Sequence, residues 1–301
     1  MKRTHNGGAV PDTMQAGPRC RPAASAVYNT TSSVVNNTAP VCDAAAPAVG
    51  NTLTLATDGL RALCDSAGID ASHGIDHALT VLGHLEAAVA VAPETLPASR
   101  VLAMRLAALL HDADDKKYWK TANYANAAAI MAKAGAAPAV IDDAVRMISL
   151  VSCSANGNSC PADAAAHPEL LWPRWADRLE AVGEVGVVRC YLFNKKKGEP
   201  MSSESTPRPQ TWEEALALAT DERFAKYQAS GGASASMIDH YYDKLLQVAR
   251  PPPELVCNRY LEEAGLQGAE PLLRICQAYG ETGEVPLSMI ESLASKLGMA
   301  D

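Results

Sequence analysis

The sequence predicts an all-α protein, a bundle of helices packed around an apolar core. From Leu53 onward, Ala- and Leu-rich segments repeat apolar residues at the three- and four-residue spacings of one helix face. Short Gly, Pro and Asp breaks separate these segments, as is typical between helices. No segment alternates with the two-residue period of a half-buried strand, so we predict no sheet.

Residues 1–50 are predicted to be a disordered leader. They are rich in Ala, Pro, Ser, Thr, Asn and Gly and contain few large apolar side chains that folding could bury. Acids are scarce here, and Lys2, Arg3, Arg19 and Arg21 are present. Organelle targeting therefore stays open as an alternative to the cytoplasmic location that we expect.

Residues 51–250 carry the helical periodicity of the predicted main domain. Val81, Leu82 and Leu85, for example, fall on one face of a helix. The predicted helices cover 52–66, 74–91, 98–112, 120–134, 138–151, 168–192, 211–227 and 232–249. Residues 194–208 are charged, small and Pro-containing, which predicts a surface excursion between helices. Its Lys195–Lys197 run is either a solvated loop or a contact for a phosphorylated ligand.

Residues 251–301 are predicted to be a C-terminal helical extension. The Pro251–Pro253 run ends the preceding helix, because proline lacks the amide hydrogen that a helix needs. Amphipathic segments follow at 254–264, 268–280 and 286–298. We expect this extension to be a cap on the bundle or an interface of a homo-oligomer.

The composition narrows the possible partners. A formal charge of −8 and a pI near 5.4 disfavour long nucleic acid, which requires clustered Lys and Arg, but permit a small phosphorylated substrate. No apolar run approaches the ~20 residues of a membrane-spanning helix, so no membrane partner is predicted. The eight cysteines form no Cys-x-x-Cys pair, which indicates reduced thiols.

Four polar residues within apolar helical stretches are the candidate metal ligands: His77, His111, Asp112 and Asp177. Burying imidazoles and carboxylates singly is costly, and a shared cation removes that cost. Two imidazoles and two carboxylates suit one divalent cation, for which we expect Mn²⁺, with Mg²⁺, Co²⁺ or Fe²⁺ as alternatives. Each residue alone could instead be a hydrogen-bonded core residue.

The segments around these residues resemble motifs of the HD-domain metal-dependent phosphohydrolases, in their small bacterial-type branch. Residues 72–77 (SHGIDH) resemble the His-x-x-Asp-His motif of that family, and residues 176–183 (ADRLEAVG) resemble its Ala-Asp-Arg-Leu block. Residues 238–246 (IDHYYDKLL) resemble a later Asp-His-Tyr segment. The resemblance implies an HD-type helical bundle, a metal bound by the four candidate ligands, and hydrolysis of a phosphoester or phosphoanhydride.

The resemblance also implies roles for residues beside the metal. We expect His73 to contact phosphate or to protonate a leaving oxygen, although a helix-start hydrogen bond is an equal alternative. Asp76 is expected to accept a hydrogen bond from a ligand imidazole. Asp115, three residues after Asp112, is the predicted general base or acid.

Three cations are predicted to bind the substrate. Lys116 and Lys117 follow Asp115 directly, and Arg178 follows the ligand Asp177. Their charge suits a phosphorylated substrate. A solvated surface turn is the alternative for 114–117.

The expected reaction is cleavage of a nucleoside triphosphate to the monophosphate and pyrophosphate. A nucleoside monophosphate phosphatase is one alternative, and a non-catalytic metal- or nucleotide-binding regulatory module is another. Relatives often carry His-Ser-Phe-Ser where residues 151–154 are Val-Ser-Cys-Ser. Because this imidazole is missing, we predict one metal ion rather than two.

Overall fold

A computed structural model of the protein describes residues 49–69 and 74–299. The predicted leader lies almost entirely outside these residues. Every regular element within the described ranges is helical, which confirms the all-α class. None of the helices in this part of the chain is long and apolar enough to cross a membrane.

The N-terminal half of the structure forms a first apolar core. Its main helices are α1 (Val49–Ala67), α2 (Ile75–Ala90), α3 (Ala98–Leu110), α4 (Ala125–Lys133) and α5 (Pro138–Val151). Helix α3 lies at the centre and packs against α1, α2 and α5. Its residues from Leu106 to Leu110 are all buried, so the C-terminal part of α3 is apolar on every face, while Arg105 before it pairs with Glu86 of α2.

Shorter helices lead from the first core to the second. They are α6 (Cys153–Asn156), α7 (Ala162–Ala166), a 3₁₀ turn (Pro168–Leu171), α8 (Trp172–Glu180) and α9 (Gly183–Lys197). The prediction of one helix over 168–192 is therefore wrong. Gly183 has a φ of +74°, which breaks the helical path between α8 and α9 although the apolar pattern continues. Helix α9 also extends to Lys197, so the Lys195–Lys197 run is helical and the surface excursion begins after it.

The remaining elements build a second core with α9. They are α10 (Trp212–Leu218), α11 (Asp221–Ala229), α12 (Met237–His240), a π-helical turn (Tyr241–Leu245), α13 (Leu246–Ala249), α14 (Pro253–Val256), α15 (Arg259–Thr282) and α16 (Leu287–Lys296). The predicted helix at 211–227 is divided into α10 and α11, whereas the helix predicted at 232–249 begins at Met237 and runs to Ala249 through the π-helical turn. By contrast, the two predicted at 254–264 and 268–280 are one helix, α15.

Helix α15 joins the two cores. It packs against α9 and α10 on one side and against α2 and α8 on the other. Leu261 belongs to the first core, whereas Leu272 and Ile275 belong to the second. The glycine that suggested a break, Gly268, instead lets α15 lie close to Val182.

Candidate metal centre

Three helices meet at the candidate metal ligands. Helices α2, α3 and α8 all pack on one another. His77 is in the first turn of α2, His111 directly follows the end of α3, and Asp177 lies within α8. The apolar side chains around each residue form the helix contacts and thereby bring the polar groups together. Asp112 follows His111 and reaches the same place.

The ligand atoms are mutually close. His77 Nε2 lies 3.2 Å from His111 Nε2. Asp177 Oδ1 is 3.4 Å from His77 Nε2 and 3.3 Å from His111 Nε2. Asp112 Oδ2 is 3.5 Å from His111 Nε2 and 3.9 Å from His77 Nε2. His77, His111 and Asp177 thus form a possible metal-binding triad, and Asp112 stands beside both imidazoles.

These separations fit one shared cation. Two ligand atoms bonded to one ion at about 2.1 Å lie about 3.0 Å apart at right angles and about 3.4 Å apart at the tetrahedral angle. Four of the five separations above are within a few tenths of an ångström of this range. Two imidazole nitrogens and two carboxylate oxygens are also a donor set for Mn²⁺, Fe²⁺, Co²⁺ or Mg²⁺.

The burial of the four groups differs by type. The imidazoles are almost enclosed, with side chains 7% (His77) and 2% (His111) exposed, whereas the Asp112 and Asp177 side chains are 29% and 26% exposed. The centre is therefore closed on its imidazole side and open on its carboxylate side. A small molecule would approach across the carboxylates.

A backbone carbonyl fixes the orientation of His111. Its Nδ1 lies 2.9 Å from the carbonyl oxygen of Ala108. A carbonyl only accepts, so Nδ1–H is the donor, and in the neutral ring Nε2 carries the lone pair that faces Asp177. Sequence reasoning assigned this supporting role to Asp76, whose side chain is exposed in the first turn of α2. The Ala108 carbonyl, one turn before His111, supplies it instead for His111.

Nearby carboxylates stabilise the protonated form of His111 in the absence of metal. Burial alone would lower the pKa of His111, but the charges of Asp112 and Asp177 outweigh it and raise the pKa to about 10. Burial would likewise raise the pKa of Asp177, and the two imidazoles reverse this and hold it well below its usual value. Without metal, the cluster is thus a network of imidazolium and carboxylate groups. A metal cation can take the place of the imidazolium proton in this network.

The acidic run after α3 has three separate uses. Asp112 faces the imidazoles, whereas the two oxygens of Asp114 each accept a 3.0 Å hydrogen bond from the first turn of α4, from the amides of Asn126 and Ala127. Asp115 Oδ1 accepts a 2.9 Å hydrogen bond from the Lys117 amide. The helix expected to continue to 112 ends at Leu110, so Asp115 lies in a turn and not one helical turn after Asp112. Its predicted catalytic role stays a prediction.

Two of the predicted substrate-binding residues lie on the surface. Lys116 and Lys117 are exposed, and Lys117 Nζ lies 3.8 Å from Asp115 Oδ2. His73 lies outside the described residues. Their predicted contacts with a phosphorylated substrate remain predictions.

Arg178 occupies an internal position. It is only 3% exposed, its Nη1 donates to Asn158 Oδ1 at 2.6 Å, and its Nη2 donates to the carbonyl of Gly157. Its guanidinium also lies 4.7 Å from the centre of the Trp175 ring. The guanidinium thus holds the 157–158 segment against α8. Phosphate binding by Arg178 stays a prediction, and these contacts occupy two of its three nitrogens.

Sequence reasoning missed a second polar pair between α2 and α8. His84 Nε2 lies 3.5 Å from Glu180 Oε1, and His84 Nδ1 lies 2.7 Å from the hydroxyl of Tyr260 on α15. The spacings were available in the sequence, because His84 is two helical turns after His77 and Glu180 is one turn after Asp177. The pair ties α8 and α15 to α2 next to the candidate ligands.

These features define an all-α protein with a possible metal centre where three helices meet. No protein-family model matches the chain. The chain is 39% identical over 208 residues to the uncharacterized protein L803 of Acanthamoeba polyphaga mimivirus, a match that covers 64% of this chain and 82% of that protein. The chain belongs to the same family as this mimivirus protein.

Two crystal structures share the fold. A Lactobacillus plantarum protein, a Northeast Structural Genomics target, matches with a TM-score of 0.51 and 19% identity. The Lin1889 protein of Listeria innocua matches with a TM-score of 0.50 and 14% identity. Each comparison covers 77% of this chain and 95% of the other. At these identities the likeness concerns the fold alone.

Proposed function

We propose that this protein is a metal-dependent phosphohydrolase of the HD type that cleaves a nucleoside triphosphate to the monophosphate and pyrophosphate. The observation that carries the proposal is the convergence of His77, His111, Asp112 and Asp177, from three helices, at separations that suit one cation. The order of these residues along the chain matches the HD pattern. The proposed ion is a single Mn²⁺.

The protein groups would divide the work around a bound substrate. When bound, the cation supplies positive charge at the phosphoryl group and lowers the pKa of water. The Ala108 carbonyl holds the His111 ring so that Nε2 faces the centre. The two carboxylates are partly exposed and leave the substrate a path. Asp115 is the proposed proton acceptor for the attacking water.

The substrate class follows from charge and openness. A triphosphate is strongly anionic, and Lys116 and Lys117 place two exposed cations after Asp115 in the turn that carries Asp112. Cations beside a metal are the usual means of holding transferring phosphoryl groups. We therefore place a polyphosphate ahead of a monophosphate.

The test is product release from chelator-stripped protein to which Mn²⁺, Mg²⁺ or Co²⁺ is returned. Nucleoside triphosphates and monophosphates would be incubated separately, and pyrophosphate and orthophosphate would be measured. The proposal predicts pyrophosphate from triphosphates, only with metal. Orthophosphate from monophosphates would replace it with a nucleotidase, and metal binding without any product would leave a regulatory module. Asp112→Ala, folded but inactive, is the matched control.

A further inference from the structure

A large cavity lies beside the candidate metal centre. Its volume is about 970 Å³, and its wall is formed by α9, the segment from Tyr227 to Leu245, and the turn after α3. Four cationic side chains line it: Lys117, Arg189, Lys196 and Lys244. Within the described part of the chain two acids, Glu180 and Glu199, also line it, and Glu180 lies against His84. The lining of this cavity is thus net cationic, although the chain as a whole has a net charge of −8.

The cavity adjoins the metal centre through two segments. Glu180 and Ala181 line it, and they follow Asp177 by about one helical turn on α8. Lys117 lines it from the turn that begins at His111 and Asp112. The cavity and the metal centre thus share α8 and the turn after α3, and the four candidate ligands themselves lie outside the lining of the cavity.

A π-helical turn places two polar residues on the cavity wall. His240 precedes the turn Tyr241–Leu245 and Lys244 lies within it, and both line the cavity. The neighbouring Asp239 has a different use: it is buried and accepts hydrogen bonds from Ser236, Thr206 and Arg223. One π turn is an uncommon interruption of a helix and is frequent at functional sites. Here Asp239 and Asp243, which both pair with Arg223, anchor the segment whose His240 and Lys244 line the cavity.

The wall also offers neutral hydrogen-bonding and aromatic groups. His240 is packed edge-on against Tyr227, with ring centres 5.3 Å apart, and its Nδ1 lies 3.4 Å from Ser234 Oγ. Burial, aided by Lys244, lowers the pKa of His240 to about 3, so the ring is neutral near pH 7. Phe193, 60% exposed, also lines the cavity, and an exposed aromatic ring is a surface on which a planar group can stack.

We propose that this cavity binds an organic polyphosphate through the phosphoryl groups next to the bond that is cleaved. Lys244, Lys196 and Arg189 hold these phosphoryl groups. The proposal rests on the proposed function for the position of the cleaved bond, but the anion site itself requires no turnover. Such a site favours the binding of a substrate with several phosphoryl groups over one with a single phosphoryl group. Lys196 lies on α9 and Lys244 in the π-helical turn, so in this proposal they hold different phosphoryl groups of one substrate.

The anion site can be tested without metal or catalysis. Inorganic tripolyphosphate and orthophosphate would each be titrated into chelator-stripped full-length protein by calorimetry. We expect tripolyphosphate to bind more tightly than orthophosphate, and Lys244→Ala and Lys196→Ala each to weaken tripolyphosphate binding about tenfold or more. Lys196 is exposed at the end of α9, so its variant tests the site even if Lys244→Ala folds poorly.

The matched control is Lys226→Ala, because Lys226 is an exposed lysine on α11 that does not line the cavity. An equal loss in this control, or unchanged binding in both cavity variants, would overturn the proposal. Turnover separates this proposal from the proposed function. A wild-type enzyme that cleaves triphosphates with a KM unaffected by both cavity variants refutes the anion site alone. Absent hydrolysis, together with tripolyphosphate binding that both cavity variants lose, refutes the proposed function alone.

Discussion

Metal binding should displace a proton from His111. In the metal-free protein, Asp112 and Asp177 overcome the effect of burial and raise the pKa of His111 to about 10. At about pH 8 the imidazole is therefore almost fully protonated, since the pH is about two units below that pKa. A cation needs the Nε2 lone pair, because Nδ1–H is held by the Ala108 carbonyl. One proton should leave His111 for each ion bound.

The size and direction of the effect follow from this linkage. Between about pH 8 and 9 the apparent association constant should rise about tenfold per pH unit, and it should level off near the pKa of His111. The folding stability of the metal-free protein depends on pH in the opposite direction. The stability that His111 contributes is complete below its unfolded pKa of about 6.5 and is lost as the pH rises through about 10.

Calorimetric titration with Mn²⁺ in buffers of different ionisation enthalpy measures the released protons directly. We predict about one proton per ion at about pH 8. The variant Asp177→Asn removes one of the charges that raise the pKa, so it should bind metal weakly and release fewer protons. Tight binding without proton release at this pH would refute the assignment of His111 as a ligand.

Three substitutions test other parts of the structure. Asp115→Asn should keep metal binding but lose about 10²-fold or more in turnover at saturating metal. Wild-type turnover would mean that Asp115 only accepts the hydrogen bond from the Lys117 amide in its turn. Arg178→Ala should lower the free energy of unfolding by about 2–4 kcal/mol, because it removes two internal hydrogen bonds and the contact with Trp175. Denaturant unfolding measures this change, and unchanged stability would contradict the internal role of Arg178. Gly280→Ala should lower the free energy of unfolding by about 4 kcal/mol or more, because a β-carbon there would overlap the carbonyl oxygen of Pro209. A thermal midpoint equal to that of wild type would contradict this and show that α15 can move away from Pro209.

Much of the first core could be predicted because its helices have strong local patterns. The C-terminal part of α3, from Leu106 to Leu110, is a continuous apolar run before His111, and the predicted end at 112 differs by only two residues from the observed end at Leu110. The candidate ligands were found from the same local pattern together with the resemblance of their segments to the HD motifs. His77, His111 and Asp177 lie on the faces that α2, α3 and α8 turn toward one another, so the packing of these helices brings the three polar residues to one place.

The breaks within the second half depend on contacts that local pattern does not contain. Apolar spacing continues across Gly183, but the extended backbone of Val182 and the positive φ of Gly183 separate α8 from α9. Conversely, α15 continues through Gly268 because a small residue is needed beside Val182. A glycine can end a helix or permit close packing, and the choice depends on the partner.

Side-chain direction limited the prediction of the site. Arg178 follows a ligand in the sequence, but its face of α8 meets the 157–158 segment and not the open side of the centre. The cations of the cavity come from distant parts of the chain, so neither Arg189 nor Lys244 could be associated with Lys117 from spacing. Helix packing alone brings them together.

The most direct test of the metal centre is the position of Mn²⁺ in crystals of the protein, measured by anomalous diffraction. We predict one peak per chain, about 2.1 Å from His77 Nε2, His111 Nε2 and oxygens of Asp112 and Asp177. The Asp177→Asn protein, crystallised in the same way, should lose the peak. A Mn²⁺ ion bound elsewhere, or no peak between these groups at saturating Mn²⁺, would contradict the metal centre and the hydrolase that we derive from it.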